Sequence, residues 1–374
     1  MGSMDASKRR CIAIIKAIIR CIHNADAHDA KRKPTKVVKR FTSWIALFRL
    51  FLAAYRRADY LSLRRDYWDI NEEDYLKSFE ADSSPCRARD HDEILEPAGD
   101  LGYSGSTFFY TKNGKYLVKS LDRRFESDFL MFELFEPYMM HMKTHPQSLL
   151  VRITDTLYAP YASLGTIIGI QPRHYIIMEN ILDMHIQQRN GREDVPWEKY
   201  DLKPEDYFFP ERDIANGRLA SQEVKDKLVD KFNDKVELSA DLKQGLKDII
   251  SEDTAFLAAN NAVDYSLFFA RISLECSALA ANDRECIIAT VAKSPSWRTG
   301  VLSTDRKWVY RAVLLDFLWA KHKLHAKAMS SVIWIFNLLF NKGPMTITTE
   351  PYEYRTRFLN MVDDLLSRDA ETPS

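Results

Sequence analysis

The sequence predicts an α+β chain folded in two parts, and three observations carry that reading. At 374 residues it is too long for one minimal core, so length favours one large two-lobed unit or two domains. Thr107 to Ser120 alternates around Asn113-Gly114, a short-range hairpin signal that calls for two antiparallel strands with positive φ tolerated at both turn residues. Helical periodicity returns later, most plainly from Ser239 to Asn260, where Leu242, Leu246, Ile249, Ile250, Phe256 and Leu257 share one face behind an N-capping Ser239.

Taken from the N-terminus, Lys8 to Ile22 places Ile15, Ile18, Ile19 and Ile22 at helical spacing, with Lys16 and Arg20 on the remaining surface. This basic amphipathic helix either packs on the body of the protein or lies in a membrane interface, with nucleic acid the least favoured partner. Lys31 to Lys36 is a solvated linker broken by Pro34, and a second helix begins near Ser43. Leu63 to Phe79 holds two short helices separated by the start signal Asn71-Glu72-Glu73. Asp82 to Pro97 is a polar loop leading into the sheet. Beyond the hairpin, helical pattern covers Glu126 to Met142 and strand pattern covers His174 to Met178. Asp253 falls on the buried face of the long helix, where a carboxylate needs partners, and we expect it to brace the backbone of the loop Asn261 to Leu267. No internal repeat is present.

Composition sets the class but no function: 46% apolar and 28% charged residues describe a globular chain, neither collagenous nor disordered. The 5 cysteines include no C-x-x-C pair, and an odd count argues against a disulfide framework, so a reducing, cytosolic setting is expected and secretion is not. The longest apolar stretch, Trp44 to Tyr55, is interrupted by Arg49 and is too short to span a bilayer. Net charge is zero, yet residues 1 to 65 hold 16 Lys and Arg against 4 Asp and Glu. A surplus of that sign suits an anionic surface, lipid or nucleic acid.

Several residues have chemistry to offer. Gly102-Tyr103-Ser104-Gly105-Ser106-Thr107-Phe108 stands directly before the hairpin and Lys119 ends its second strand. A glycine turn lets backbone N–H groups approach phosphate oxygens, and a strand lysine adds a point charge. Asp264 and Asp316 both sit in apolar frames, where a carboxylate must be solvated in a cleft, paired or metal-bound. No G-x-x-x-x-G-K-[ST], H-R-D, D-F-G or G-x-S-x-G motif occurs. His141 and His145 have i, i+4 spacing, but Met142 stands where a zinc protease carries Glu, so both are read as surface residues.

The order of these motifs resembles the phosphatidylinositol phosphate kinases, whose catalytic domains share a fold with SAICAR synthase. The likeness runs from about Leu61 to Leu366. It matches the glycine loop G-x-S-G-S-x-F at Gly102, Ser104, Gly105, Ser106 and Phe108, and the phosphate-binding lysine at Lys119, with Glu126 or else Asp128 as its ion-pair partner. Ser148-Leu149-Leu150 resembles the turn after the following helix. Ile177 to Leu182 resembles the hinge, so the backbone of Glu179, Asn180 and Ile181 would hold adenine. The D-L-K-G-S motif appears as Asp201-Leu202-Lys203-Pro204-Glu205, which keeps the ATP-contacting Lys203 and loses the small pair after it. M-D-Y-S-L-L is represented by Val263 to Phe268, making Asp264 the catalytic acid or hydroxyl-orienting group. D-x-x-F-L is matched by Asp253, Phe256 and Leu257, and I-I-D-x-L by Leu314 to Leu318, making Asp316 the Mg²⁺ ligand, with Asp264 a second. P-x-x-Y-x-x-R-F is present as Pro351, Tyr354, Arg357 and Phe358. Lys321, Lys323 and Lys327, followed by an apolar run beginning at Val332, fall where the family's headgroup-recognising loop meets the membrane.

The resemblance implies ATP and Mg²⁺ as cofactors, a membrane phosphoinositide as substrate and an anionic membrane surface as partner, with no nucleic acid and a homodimer left open. It implies a cytoplasmic, peripheral membrane location. The expected division is a basic extension over 1–60, an N-lobe with an antiparallel sheet over 61–180, a C-lobe with a smaller sheet and helices over 181–366, and a tail over 367–374.

Overall fold

The computed structural model describes residues 2–23, 50–80, 95–97, 107–167, 171–183, 197–204, 232–276, 279, 281–320 and 350–367. The chain has the expected α+β architecture, with two compact units. The first takes in residues 1–131, 138–146 and 152–183, the second 132–137, 147–151 and 184–374.

The first unit is built on a six-stranded antiparallel sheet in the order β1-β5-β6-β4-β3-β2, formed by Ala53–Ala54 (β1), Leu95–Pro97 (β2), Phe108–Thr111 (β3), Tyr116–Leu121 (β4), Ile153–Tyr158 (β5) and His174–Glu179 (β6). The hairpin is present, but its connection spans four residues, and among them only Gly114 has positive φ, at 74°. Asn113 instead uses its side chain: Oδ1 accepts from Thr111 Oγ1 and from Lys115 N, a local bond typical of asparagine in turns.

Helix α1 (Gly2–His23) settles the amphipathic question in favour of packing. Ile14, Ile15, Ile18 and Ile22 are buried in one cluster with Tyr75, Phe109, Tyr116, Val118, Tyr175 and Ile177. At about 1.5–3 kcal/mol for each buried isoleucine, this face already has its apolar surroundings and nothing to gain from a bilayer. Arg57 closes the helix end by donating to the Cys21 and Ile22 carbonyls. Burial pushes the Cys21 thiol up to about 12.

Next come α2 (Arg57–Ser62), a π-helical turn over Leu63–Tyr67 and α3 (Glu72–Lys77). The start signal acts as expected, with Asn71 Oδ1 accepting from Asp74 N at 3.0 Å. The helical stretch after β4 is likewise divided, into α4 (Arg124–Phe129), a π turn over Leu130–Leu134 and α5 (Phe135–Thr144). His141 is buried, against the surface role expected for it, and its ring stacks on that of half-buried His145 with centroids 4.2 Å apart. A one-turn helix α6 (Leu164–Ile167) lies in the β5–β6 connection.

The second unit carries a four-stranded antiparallel sheet in the order β10-β11-β9-β7, from Glu198–Leu202 (β7), Ser266–Ser273 (β9), Val301–Leu302 (β10) and Trp308–Leu315 (β11). A two-stranded sheet pairs Ala262–Val263 (β8) with Trp319–Ala320 (β12). Ser239 caps α7 (Ala240–Ala259), accepting from Leu242 N as expected. Helix α8 (Ala281–Lys293) covers a small core with Ile272 and Val309, and α9 (Pro351–Ser367) packs along α7, fastened by Lys243 to the Leu366 carbonyl and by Lys247 to Asp363. No helix among the described residues is long and apolar enough to cross a membrane.

Candidate active site

The second unit brings three of the expected residues to one end of its sheet. β9 and β11 pair down to Ser266 against Leu315, and β8 and β12 resume with Val263 against Trp319. Between these two pairings, Asp264 and Tyr265 face Asp316, Phe317 and Leu318, two residues against three. The extra residue kinks the ladder, and Asp264 and Asp316 both take left-handed backbone, at φ 63° and 60°. Aspartate tolerates that conformation better than most residues, at a cost on the order of 1 kcal/mol. Tyr265 and Phe317 are buried on either side, while both aspartates remain partly accessible. A buried frame thus turns two carboxylates to the same end of the sheet.

β7 adds the third group. Leu202 pairs with Leu267, so Lys203 leaves the sheet beside Asp264. Its ammonium donates to Asp264 Oδ1 at 3.0 Å and to the Asp264 carbonyl at 2.9 Å. Both side chains are mostly buried, 14% and 15% exposed, so this pair is far less screened than a surface bridge.

The backbone around these residues is buttressed on three sides. Tyr354 of α9 donates its hydroxyl to the Tyr265 carbonyl at 2.5 Å, and Tyr354 and Phe358 pack on the Tyr265 ring. That is the structural use of the P-x-x-Y-x-x-R-F pattern, whose Arg357 pairs with Glu353 on the exposed side. Asp253, 1% exposed, accepts from the Leu149 amide at 2.6 Å, a backbone partner outside the loop 261–267 expected for it. Leu149 in turn accepts from Leu314 N, two residues before Asp316. Arg298 holds the same Ser148-Leu149-Leu150 segment through its carbonyls. The brace therefore acts on β11, through a segment far away in sequence.

The first unit holds Lys119 and residues 179–181. Lys119 pairs in register with Phe108, and its ammonium lies over that ring at 5.6 Å. Glu126 is buried, and Asp128 pairs with Arg124 at 3.5 Å. Glu179 and Asn180 are tightly set: Glu179 N donates to the Arg152 carbonyl, Asn180 N to the Lys115 carbonyl and Asn180 Nδ2 to the Gly114 carbonyl. Ile181 is buried next to them. Gly102, Ser104, Gly105, Ser106, Glu205, Lys321, Lys323 and Lys327 lie outside the described residues, as do the linker after residue 30, the helix expected near Ser43 and the apolar run from Val332.

Two partly accessible carboxylates are a hard oxygen donor set. Among the described residues no group of three or more His, Cys, Asp or Glu gathers as a closed cage. The set fits Mg²⁺, which binds through one or two carboxylates and completes its shell with water and phosphate oxygens.

The sequence profile of the family described as Phosphatidylinositol-4-phosphate 5-Kinase matches residues 89–365. The chain belongs to that family. The matched span includes the glycine turn, Lys119, Lys203, Asp264 and Asp316. A protein of Plasmodium falciparum (isolate 3D7) described as Phosphatidylinositol 4-phosphate 5-kinase is 29% identical over 171 residues, which cover 45% of this chain and 9% of that protein. Membership of the family lay legible in the motif order. The Lys203–Asp264 contact did not, because 61 residues separate the two and only the β7–β9 register joins them.

Proposed function

We propose that the chain transfers the terminal phosphoryl group of ATP to an inositol hydroxyl of a membrane phosphoinositide. The observation that carries the reading is the gathering of Lys203, Asp264 and Asp316 at one end of the second sheet, in a member of this kinase family. Phosphoryl transfer asks little covalent chemistry of a protein; it asks for alignment and charge neutralisation. Mg²⁺, when bound, supplies neutralisation of the phosphate oxygens. Asp316 is its ligand in this proposal, with Asp264 as a second.

Asp264 orients the attacking hydroxyl and receives its proton. Lys203 gives one ammonium proton to that carboxylate and one to the Asp264 carbonyl, and has a third to offer a phosphate oxygen. Lys119 and the backbone from Gly102 to Ser106 bind the triphosphate, the backbone of Glu179, Asn180 and Ile181 holds adenine through groups other than the Glu179 and Asn180 amides, which are already bonded, and Lys321, Lys323 and Lys327 receive the phosphorylated headgroup. The name of the Plasmodium relative makes phosphatidylinositol 4-phosphate the first lipid to try.

The test is incubation of purified protein with labelled ATP, Mg²⁺ and vesicles containing each phosphoinositide in turn. Label on a lipid is the expected result. Label confined to a soluble inositol phosphate, or ATP binding without transfer to any acceptor, would overturn the proposal.

A further inference from the structure

The β5–β6 connection reverses the usual order of polar and apolar residues. Tyr161, Leu164 and Ile167 are exposed, at 38%, 37% and 59%, while Ser163 is 1% exposed. Leu164 and Ile167, three residues apart on the single turn of α6, lie on one side of it, and Tyr161 stands just before the turn. The turn is held by its own polar groups: Ser163 N donates to Thr166 Oγ1 at 2.8 Å, Thr166 N to Ser163 Oγ at 3.3 Å, and Gln171 N to the Gly165 carbonyl. An ordered turn that spends its hydroxyls inward and shows its hydrocarbon outward is disfavoured in water alone.

What surrounds this turn follows from strand register. Tyr158 and Leu121 both pair with His174, so the ends of β5 and β4 and the start of β6 lie together at one end of the sheet. Arg123 and Arg124 follow β4 after Asp122, Arg173 precedes β6, and burial holds the Asp122 carboxyl above its ordinary value against the bond from Ser120 and the pull of Arg10 of α1 and Arg123. Arg124 and Arg173 both act on His174. Three arginines, Arg123, Arg124 and Arg173, therefore stand at the same end of the sheet as the carboxylates of Asp122 and Asp128; Arg173 also donates to the Ala159 carbonyl at the start of the connection, and the Arg124 side chain, paired with Asp128, is 84% exposed.

We infer that this end of the first unit's sheet is a docking surface for an anionic lipid bilayer, with Tyr161, Leu164 and Ile167 entering the interface and the arginines meeting the headgroups. A second copy of the chain fits less well, since a two-fold contact would set the same cations against one another. The inference deepens the proposed lipid kinase function, on which it rests for its purpose, while the surface itself is separate from the residues assigned to transfer.

The test measures partitioning of the full chain onto phosphatidylcholine vesicles with and without phosphatidylserine. Binding should require phosphatidylserine and weaken with salt. Leu164→Asn with Ile167→Asn, and separately Arg124→Glu with Arg173→Glu, should each reduce it by about tenfold or more. Both pairs should keep the unfolding midpoint and the turnover of a short-chain, water-soluble phosphoinositide. All four positions are solvent-facing, and should one pair fail to fold, the other decides. Unchanged partitioning in a folded variant would overturn the inference, as would loss of self-association with vesicle binding intact. Vesicle binding through this turn by a chain that phosphorylates no lipid would sink the kinase reading and leave the docking surface standing.

Discussion

Arg64→Met should be the most damaging single substitution in the first unit, and its size can be worked from the geometry. The guanidinium is completely buried and donates to Glu72 through two bonds, at 2.9 and 2.8 Å, to Asp155 Oδ2 at 3.0 Å and to the Thr154 carbonyl. Asp155 is equally buried; the Tyr75 hydroxyl also donates to Oδ2, but Oδ1 finds no donor among the described residues. Removing one member of such a pair strands a charge and costs about 3–5 kcal/mol, a large share of the roughly 5–15 kcal/mol of a typical domain. Glu72 can return to water, since its side chain is 27% exposed, whereas Asp155 cannot. Arg64→Met with Asp155→Leu should therefore recover most of the loss. Burial holds the Asp155 carboxyl above its ordinary value against the pull of Arg64 and Arg57. The folded state then binds that proton more tightly than the unfolded state, so stability is gained as pH falls through the folded value and lost as it rises. Removing Arg64 strengthens that dependence, and the single variant should be least damaged in acid. Urea unfolding at several pH values, read on the transition of the first unit, is the assay. A loss below about 1 kcal/mol for Arg64→Met, or a double variant as unstable as the single, would refute the reasoning.

Asp253→Ala removes the acceptor of the buried Leu149 amide and should destabilise the second unit by about 2 kcal/mol in urea unfolding. His174 is held neutral, its pKa lowered to about 4 first by burial and then by Arg173 and Arg124. Its stabilisation is present above about pH 6.5 and lost as pH falls toward the folded value, on the order of 1–2 kcal/mol once solvent screening is allowed for, and His174→Gln should flatten that part of the stability–pH curve. Gly300 has φ 136°, and a Cβ there would stand 2.8 Å from Val309 and 2.9 Å from Val291, so Gly300→Ala should lower the unfolding midpoint by more than about 1 kcal/mol of stability.

Local pattern carried the elements well where one chain segment decides its own structure. The hairpin around Gly114, the caps at Asn71 and Ser239 and the long helix from Ala240 all follow from nearest-neighbour chemistry. Pattern did not reveal the π turns over Leu63–Tyr67 and Leu130–Leu134, since an extra residue within a helix leaves the apolar spacing nearly unchanged. It left α1 open between protein and membrane because the two environments reward the same periodicity, and only the sheet beneath it decided. Asp264 and Asp316 were legible as carboxylates in apolar frames. Their left-handed backbone, the Lys203 contact and the route from Asp253 through Leu149 to β11 depend on strand register across long sequence separations, which no local signal encodes.

Whether Lys203 and Asp264 act as one chemical unit is best measured by single-turnover transfer from labelled ATP to phosphoinositide vesicles, comparing Lys203→Ala, Asp264→Asn and the two combined. If Lys203 works by holding Asp264, each single change should slow transfer by about 10²–10⁴-fold, with ATP still bound, and the double variant should be no slower than the slower single. Losses that multiply in the double variant, or an Asp264→Asn chain that transfers at the parent rate, would contradict the account.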